Sequence, residues 1–193
     1  MFKSEQSLIE KLKQLLNTER FEHSLRVQEL SVDLAKHHKV NPKKASIAGL
    51  LHDCSRYLSP EETLKQAESA GLHIEPVMRY EPKLLHASLS GYFARRDFGI
   101  DDNEIISAIE RHTLGSPRMS NLDKILYIAD HVEPDRTYIG VKNVRESMMK
   151  NLDDAVFAIA SCMIRYLIES EQPIHPLTLE TRNFHLRRAK KLW

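Results

Sequence analysis

Six ionisable residues stand where the pattern of this chain calls for apolar ones: His23, His52, Asp53, His86, His112 and Asp130. His23 leads Val27, Leu30 and Leu34 at helical spacing, and His52 follows Ala45, Ala48 and Gly49. His86 leads Leu89 and Phe93, His112 closes Ile105, Ala108 and Ile109, and Asp130 stands four residues after Leu126. A backbone hydrogen bond explains any one inward imidazole. The aspartates are harder to place, because a buried, unpaired carboxylate costs several kcal/mol or must protonate. A divalent cation removes the difficulty for all six at once, neutralising the acids and coordinating the rings. The donors are nitrogen and oxygen without sulfur, which suits iron, manganese or zinc. Adjacent His52 and Asp53 lie about 100° apart around a helix. Both can reach one ion from a helix end, or Asp53 can bridge two.

The elements that must carry these residues read as helices nearly throughout. "SEQSLIEKLKQLL" opens on a Ser4 cap, and "FEHSLRVQELSVDLAKHHK" and "PKKASIAGLLHDC" follow, the latter with Pro42 at an early position. "SPEETLKQAESAG" has Ser59 as cap, Glu62 three residues on and Gly71 as stop. Further helices are expected in "HASLSGYFARRDFG", "DDNEIISAIERH", "NLDKILYIADHV", "LDDAVFAIASCMIRYLIES" and a basic tail ending "RRAKKLW". No period-two run of β-branched residues marks a strand, and no linker rich in Gly, Pro or Ser divides the chain. The expectation is an all-α, single-domain helical bundle over 1–193. Its core spans about 19–135, helices in 141–193 pack on that core, and the metal site lies at the centre.

Composition narrows the classes. At 193 residues, with 41% hydrophobic and 28% charged residues and a net charge of +1, the chain reads as a globular protein without a nucleic-acid footprint. No apolar stretch approaches the roughly 18 residues of a membrane span, and the N-terminus does not read as a signal peptide. Cys54 and Cys162 lack C-x-x-C spacing, so neither a disulfide nor a thiolate zinc site is expected. A cytoplasmic location is expected. Oligomeric state stays open, a homodimer included.

The ordered set His23, His52-Asp53, His86, His112, Asp130 resembles the signature of the HD-domain metal-dependent phosphohydrolases. "ERFEHSLRV", "LLHDCSRYLSPEE", "PKLLHASLSGY", "AIERHTLGSPRMSNLDKILYIADHVEPDR" and "HPLTLETRNF" are together similar to the YqeK branch of that superfamily. Other branches fit less well. Guanosine tetraphosphate hydrolases carry H-D-x-x-E-D, where Cys-Ser-Arg-Tyr follows Asp53 here, and Gly91-Tyr92 runs into Phe93 rather than the proline of the HD-GYP kind.

The resemblance implies symmetrical hydrolysis of diadenosine tetraphosphate to two ADP, with iron as the expected metal. It implies His23, His52, Asp53 and Asp130 as principal metal ligands, with Asp53 also orienting the attacking water. His86 and His112 either hold a second ion or bond phosphate oxygens and assist the leaving group. A tetraphosphate calls for cations, and Arg20, Arg56, Lys83 and Arg136 lie beside these motifs, with Arg182 in the tail. Ser55 and Thr113 are candidate phosphate contacts, and Thr181 and Asn183 candidate base contacts. His37, His38, His73, His131, His175 and His185 read as surface or local structural residues, and Cys54 as facing away from the metal. Competing readings are a mono- or triphosphohydrolase on the same scaffold and a nucleotide-binding signalling module without turnover.

Overall fold

Side-chain caps start most of the helices of this protein, whose computed structural model describes residues 4–190. Ser4 caps α1 (Glu5–Leu15), Asn17 caps α2 (Thr18–His37), and Asn41 accepts from the Lys43 and Lys44 amides ahead of α3 (Pro42–Leu51). Ser59 and Glu62 form the expected capping box of α4 (Pro60–Ser69), which Gly71 closes at φ +67°. A short α5 (Pro76–Tyr80) and a 3-10 turn (Pro82–Leu85) lead into α6 (His86–Arg96). Asp102 caps α7 (Asn103–Arg111), and Ser120 with Asp123 makes a second capping box on α8 (Asn121–Val132). α9 (Val141–Met148), α10 (Leu152–Glu169) and α11 (Pro176–Lys190) complete the described chain. Residues 191–193 of the expected basic tail lie outside the described residues. α5, α9 and the 3-10 turn carry too few residues for a periodic signal, and the sequence pattern does not reveal them.

The architecture is all-α, with no strand among the described residues. α2 packs along α3, and α8 lies against α2, α3, α7 and α10. Val27, Leu50, Leu51, Leu89, Ile109 and Ile125 are among the side chains of the main core. A smaller cluster gathers Ala67, Met78 and Leu85 under α4 and α5. Two ionic ties replace apolar contact where helices must hold register. Asp123, fully buried, accepts from Arg111 at 2.7 Å and joins α7 to α8. Asp153 on α10 meets Lys124 of α8 at 2.9 Å and the His185 ring of α11 at 2.7 Å, docking the last helix onto the rest. No helix of the described residues is long and apolar enough to cross a membrane.

Gly49 marks the closest approach of α2 and α3. A Cβ built there would lie 2.7 Å from Gln28 Cα, a backbone atom that cannot swing aside. Alanine normally stabilises a helix interior over glycine by about 1 kcal/mol. Here the sign reverses: Gly49→Ala is expected to cost about 1–3 kcal/mol. A thermal melt is expected to show a fall of several degrees, and an unchanged or raised melting temperature contradicts this packing.

Candidate metal centre

α3 ends at Leu51, and the chain then descends through tight turns, with the Cys54 amide on the Leu51 carbonyl at 3.1 Å and the Arg56 amide on the Asp53 carbonyl at 2.9 Å. This change of winding turns both His52 and Asp53 inward; they are 0% and 3% exposed. Cys54 faces the other way, its thiol donating to the Ser90 carbonyl, and burial pushes that thiol up to about 12. The remaining donors arrive from four other elements. His23 comes from α2, His86 opens α6, His112 follows the last residue of α7, and Asp130 lies in the last turn of α8.

Ring orientation is set from behind. The Nδ1 atoms of His52, His86 and His112 lie 2.8, 2.5 and 2.6 Å from the carbonyls of Gly49, Lys83 and Ile109, each three residues back. A carbonyl only accepts, so these Nδ1 atoms carry the proton and the Nε2 lone pairs are free. His23 Nδ1–H instead donates to Glu133 Oε1 at 3.2 Å. All four Nε2 atoms converge. His23 and His52 approach to 3.3 Å, His86 and His112 to 3.0 Å, and Asp130 Oδ1 lies 3.0 Å from His23 Nε2. Asp53 stands between the pairs, with Oδ2 3.7 Å from His52 and Oδ1 3.3 Å from His86 and 3.7 Å from His112.

Lone pairs facing one another at hydrogen-bond distance need a cation between them. Burial lowers the proton affinity of His52, and it takes His86 and His112 down to about 4, so protons do not fill that need on those rings. His23 differs: burial lowers its affinity, but the Asp130 carboxylate more than compensates and the net shift is upward. Burial pushes Asp53 and Asp130 up, yet the imidazoles around them hold both well below the usual carboxylate range. Ionised carboxylates with mostly neutral rings are the protonation state a metal ion binds. Two overlapping sets have donor atoms within 4.8 Å of one another: His23, His52 and Asp130, and His52, Asp53 and His112. The residues fit a divalent metal, which nitrogen and oxygen donors of this kind hold.

Around the donors, Arg20 reaches Asp53 Oδ2 at 3.3 Å, Arg56 approaches the same oxygen at 4.0 Å, and Arg136 bonds Asp130 Oδ1 at 3.1 Å. The Thr113 hydroxyl lies 3.0 Å from His86 Nε2 and 3.1 Å from His112 Nε2. These four side chains and Lys83 line a cleft of about 970 Å³ that also includes Asp53, His86 and Asp130.

The other expected contacts lie elsewhere. Ser55 is buried and spends its hydroxyl on the His86 carbonyl at 3.0 Å, with Ser90 donating to it, so it braces the turn that carries His86. Thr181 is fully buried, its hydroxyl shared between the Leu114 and Leu177 carbonyls and its methyl against Gly115. Arg182 lies over the Phe157 ring and donates to Asn183, and neither lines the cleft. Thr181 supports the fold, while Asn183, expected with it as a base contact, and Arg182, expected as a cation for the polyphosphate, are not among the residues that line this cleft.

Among the remaining histidines, His73 is exposed, while His37 and His38 bond the Met149 and Met148 carbonyls. His185 and His175 are buried rather than superficial, and His131 and His175 line the cleft. Sequence reasoning missed Glu133, 2% exposed, which receives both the His23 ring and Arg26 Nε at 2.8 Å. Its one signal was an acidic residue three positions after Asp130 at the end of an apolar helix.

A buried donor cluster of this order and geometry defines a class, and the chain belongs to the HD domain family, whose model matches residues 20–135 and so contains all six donors. That family implies a divalent metal. The chain is 34% identical over 168 residues to a protein of Halalkalibacterium halodurans named symmetrical bis(5'-nucleosyl)-tetraphosphatase, covering 87% of this chain and 89% of that one. A Bacillus subtilis protein of the same name is 32% identical, covering 90% and 92%. A crystal structure from Clostridium acetobutylicum, described as a predicted HD superfamily hydrolase involved in NAD metabolism, superposes with a TM-score of 0.93. Identity there is 34%, over 97% of this chain and all of that one.

Two outcomes follow from this geometry. Glu133→Gln keeps the size of the side chain but weakens its acceptance from His23, and metal affinity is expected to fall about 10–100-fold in competition with a chelator. Equal affinity contradicts the role of Glu133. The metal-free protein is expected to lose stability on acidification from about pH 6.5 toward about 4. There the unfolded chain takes up protons that the rings of His52, His86, His112 and His131 refuse, with His23 and, toward the lower end, the Glu110 carboxyl opposing. Urea midpoints at pH 7 and pH 5 test the sign, and a flat or rising midpoint on acidification contradicts it.

Proposed function

We propose that the protein hydrolyses diadenosine tetraphosphate symmetrically, water attacking with the help of a divalent metal to give two molecules of ADP. The observation that carries this reading is the six-donor cluster opening onto a cleft with a cationic margin. Similarity along nearly the whole chain to relatives named symmetrical tetraphosphatases supports it. We read the ion as iron, with manganese and zinc as the other metals the donor set suits. Two free cysteines and a nucleotide substrate support a cytoplasmic setting.

When bound, the metal supplies positive charge against phosphoryl oxygens and makes a water molecule acidic enough to attack near neutral pH. The protein does the rest. Asp53, ionised and placed between both donor sets, orients the attacking water. His86 and His112, with Nδ1–H held by carbonyls and lone pairs turned inward, are better arranged as ligands of a second ion than as proton donors. Arg20, Arg56 and Arg136 pair with ligand carboxylates in the structure. Their guanidinium groups are the donors an entering polyphosphate meets, with Lys83 adding charge and Thr113 a hydroxyl.

Iron-loaded protein is expected to convert diadenosine tetraphosphate to ADP alone, read by product chromatography. Appearance of AMP with ATP excludes the symmetrical cut. Asp53→Ala is expected to lower turnover by more than about 10²-fold and reduce bound metal. Full activity in that variant defeats the site assignment.

A further inference from the structure

A second groove, of about 910 Å³, opens beside the cleft, lined by the 136–145 segment, α10 and Arg182 of α11. It shares Arg136, Tyr138, Ile139, Cys162 and Arg165 with the cleft, so the two spaces are continuous. Arg136 also bonds the ligand carboxylate Asp130 at 3.1 Å, and the groove therefore starts at the edge of the metal centre. Its charge is of one sign. Arg136, Lys142, Arg145, Arg165 and Arg182 line it, and among the described residues no aspartate or glutamate does.

Two of these cations are engaged, Arg136 by Asp130 and Arg145 by the carbonyls of Val132, Glu133, Pro134 and Arg136. Lys142 and Arg165 have neither an ion pair nor a side-chain hydrogen bond among the described residues, and Arg182 has only the Asn183 amide and the Phe157 ring. An isolated surface cation is content with water, but a hollow lined by cations alone concentrates positive potential and favours an anion. The exposed Ile139 and the Phe157 ring add apolar surface to the same groove. Charge beside apolar surface suits a nucleoside diphosphate better than phosphate alone.

A cut at the middle of a tetraphosphate leaves one nucleoside diphosphate half on each side, and the halves run from the scissile bond in two directions. Lys83 and Thr113 stand beside His86, while Arg136 stands beside Asp130, the partner of His23. We propose that the groove is a second nucleoside-diphosphate subsite, in which Arg165, Lys142 and Arg182 hold the phosphates of the half that lies beyond Arg136. The proposal rests on the dinucleotide reading of the cleft given above.

Calorimetric titration of the metal-loaded protein with ADP counts the subsites. The parent protein is expected to bind two ADP per chain, and the double variant Arg165→Gln/Lys142→Gln only one. KM for diadenosine tetraphosphate is expected to rise about tenfold in that variant at constant kcat, the loss of contacts remote from the scissile bond. Both side chains are exposed, so metal content and melting temperature are expected to stay as in the parent. Lys43→Gln/Lys65→Gln removes the same charge from surface outside both spaces and is expected to change neither the ADP count nor KM.

A single ADP per chain in the parent overturns the proposal. Two ADP retained in Arg165→Gln/Lys142→Gln, with KM unmoved, overturn it as well. An equal loss in Lys43→Gln/Lys65→Gln assigns the effect to net charge and rules out the subsite. Inorganic pyrophosphate that takes the second position as tightly as ADP makes the groove a general anion site and refutes the assignment to a nucleotide. Failure of the parent to cleave diadenosine tetraphosphate defeats the proposed function, while the ADP count in parent and variant still decides the groove.

Discussion

Three imidazole lone pairs, a fourth ring paired with Asp130 and two ionised carboxylates are held within a few ångströms of one another inside an apolar bundle, an arrangement that a divalent cation at its centre satisfies. The constraint is built from short-range bonds. Each of three rings is anchored by its Nδ1–H to a carbonyl three residues earlier in its own helix or turn. The helix that brings the residue therefore also selects the tautomer. His23 sits mid-helix, where the carbonyls behind it are engaged, and a carboxylate from the end of α8 takes their place. The fold thus fixes protonation as well as position, which is what a metal site requires of its ligands.

Packing at one glycine makes the assembly possible. Gly49 lets α2 and α3 approach until their backbones nearly touch, and its own carbonyl anchors His52. The same residue therefore sets both the distance between His23 and His52 and the orientation of the second ring. α8 performs the corresponding service on the opposite side. It packs on α2, α3, α7 and α10, and its C-terminal end delivers Asp130 and, three residues on, Glu133. Asp53, held between the two donor sets by Arg20 and three imidazoles, joins them into one site.

The cleft that opens from this centre is chemically uneven. Guanidinium groups cluster by the ligand carboxylates, while Leu84, Leu114, Ile159, Met163 and Leu167 add apolar lining. That division follows from which parts of the chain supply each wall. The cationic margin comes from residues within or beside the donor motifs, and the apolar lining comes from Leu84 and Leu114, which pack on the satellite core, together with Ile159, Met163 and Leu167 of α10. The tie of Asp153 to Lys124 and His185 fixes α10 and α11 against the bundle.

Helices, caps and the six donors were legible in the sequence because their signals are local: apolar periodicity, a cap followed three residues on by an acid, and a charged side chain on an apolar stripe. Hydroxyls and tail residues were not legible. Ser55 and Thr181 sit near the motifs in sequence, but whether a short hydroxyl turns to a cleft or to a backbone carbonyl depends on which helix packs over it. Glu133 was overlooked for the same reason, since the ring it holds is 110 residues away. By itself, then, the sequence determined which residues must avoid water and which of them carry charge, because burial of a helical stripe is decided within a few turns. Only the tertiary structure decided which buried donors meet and which ring nitrogen holds the proton. Those depend on contacts between helices that no local pattern encodes.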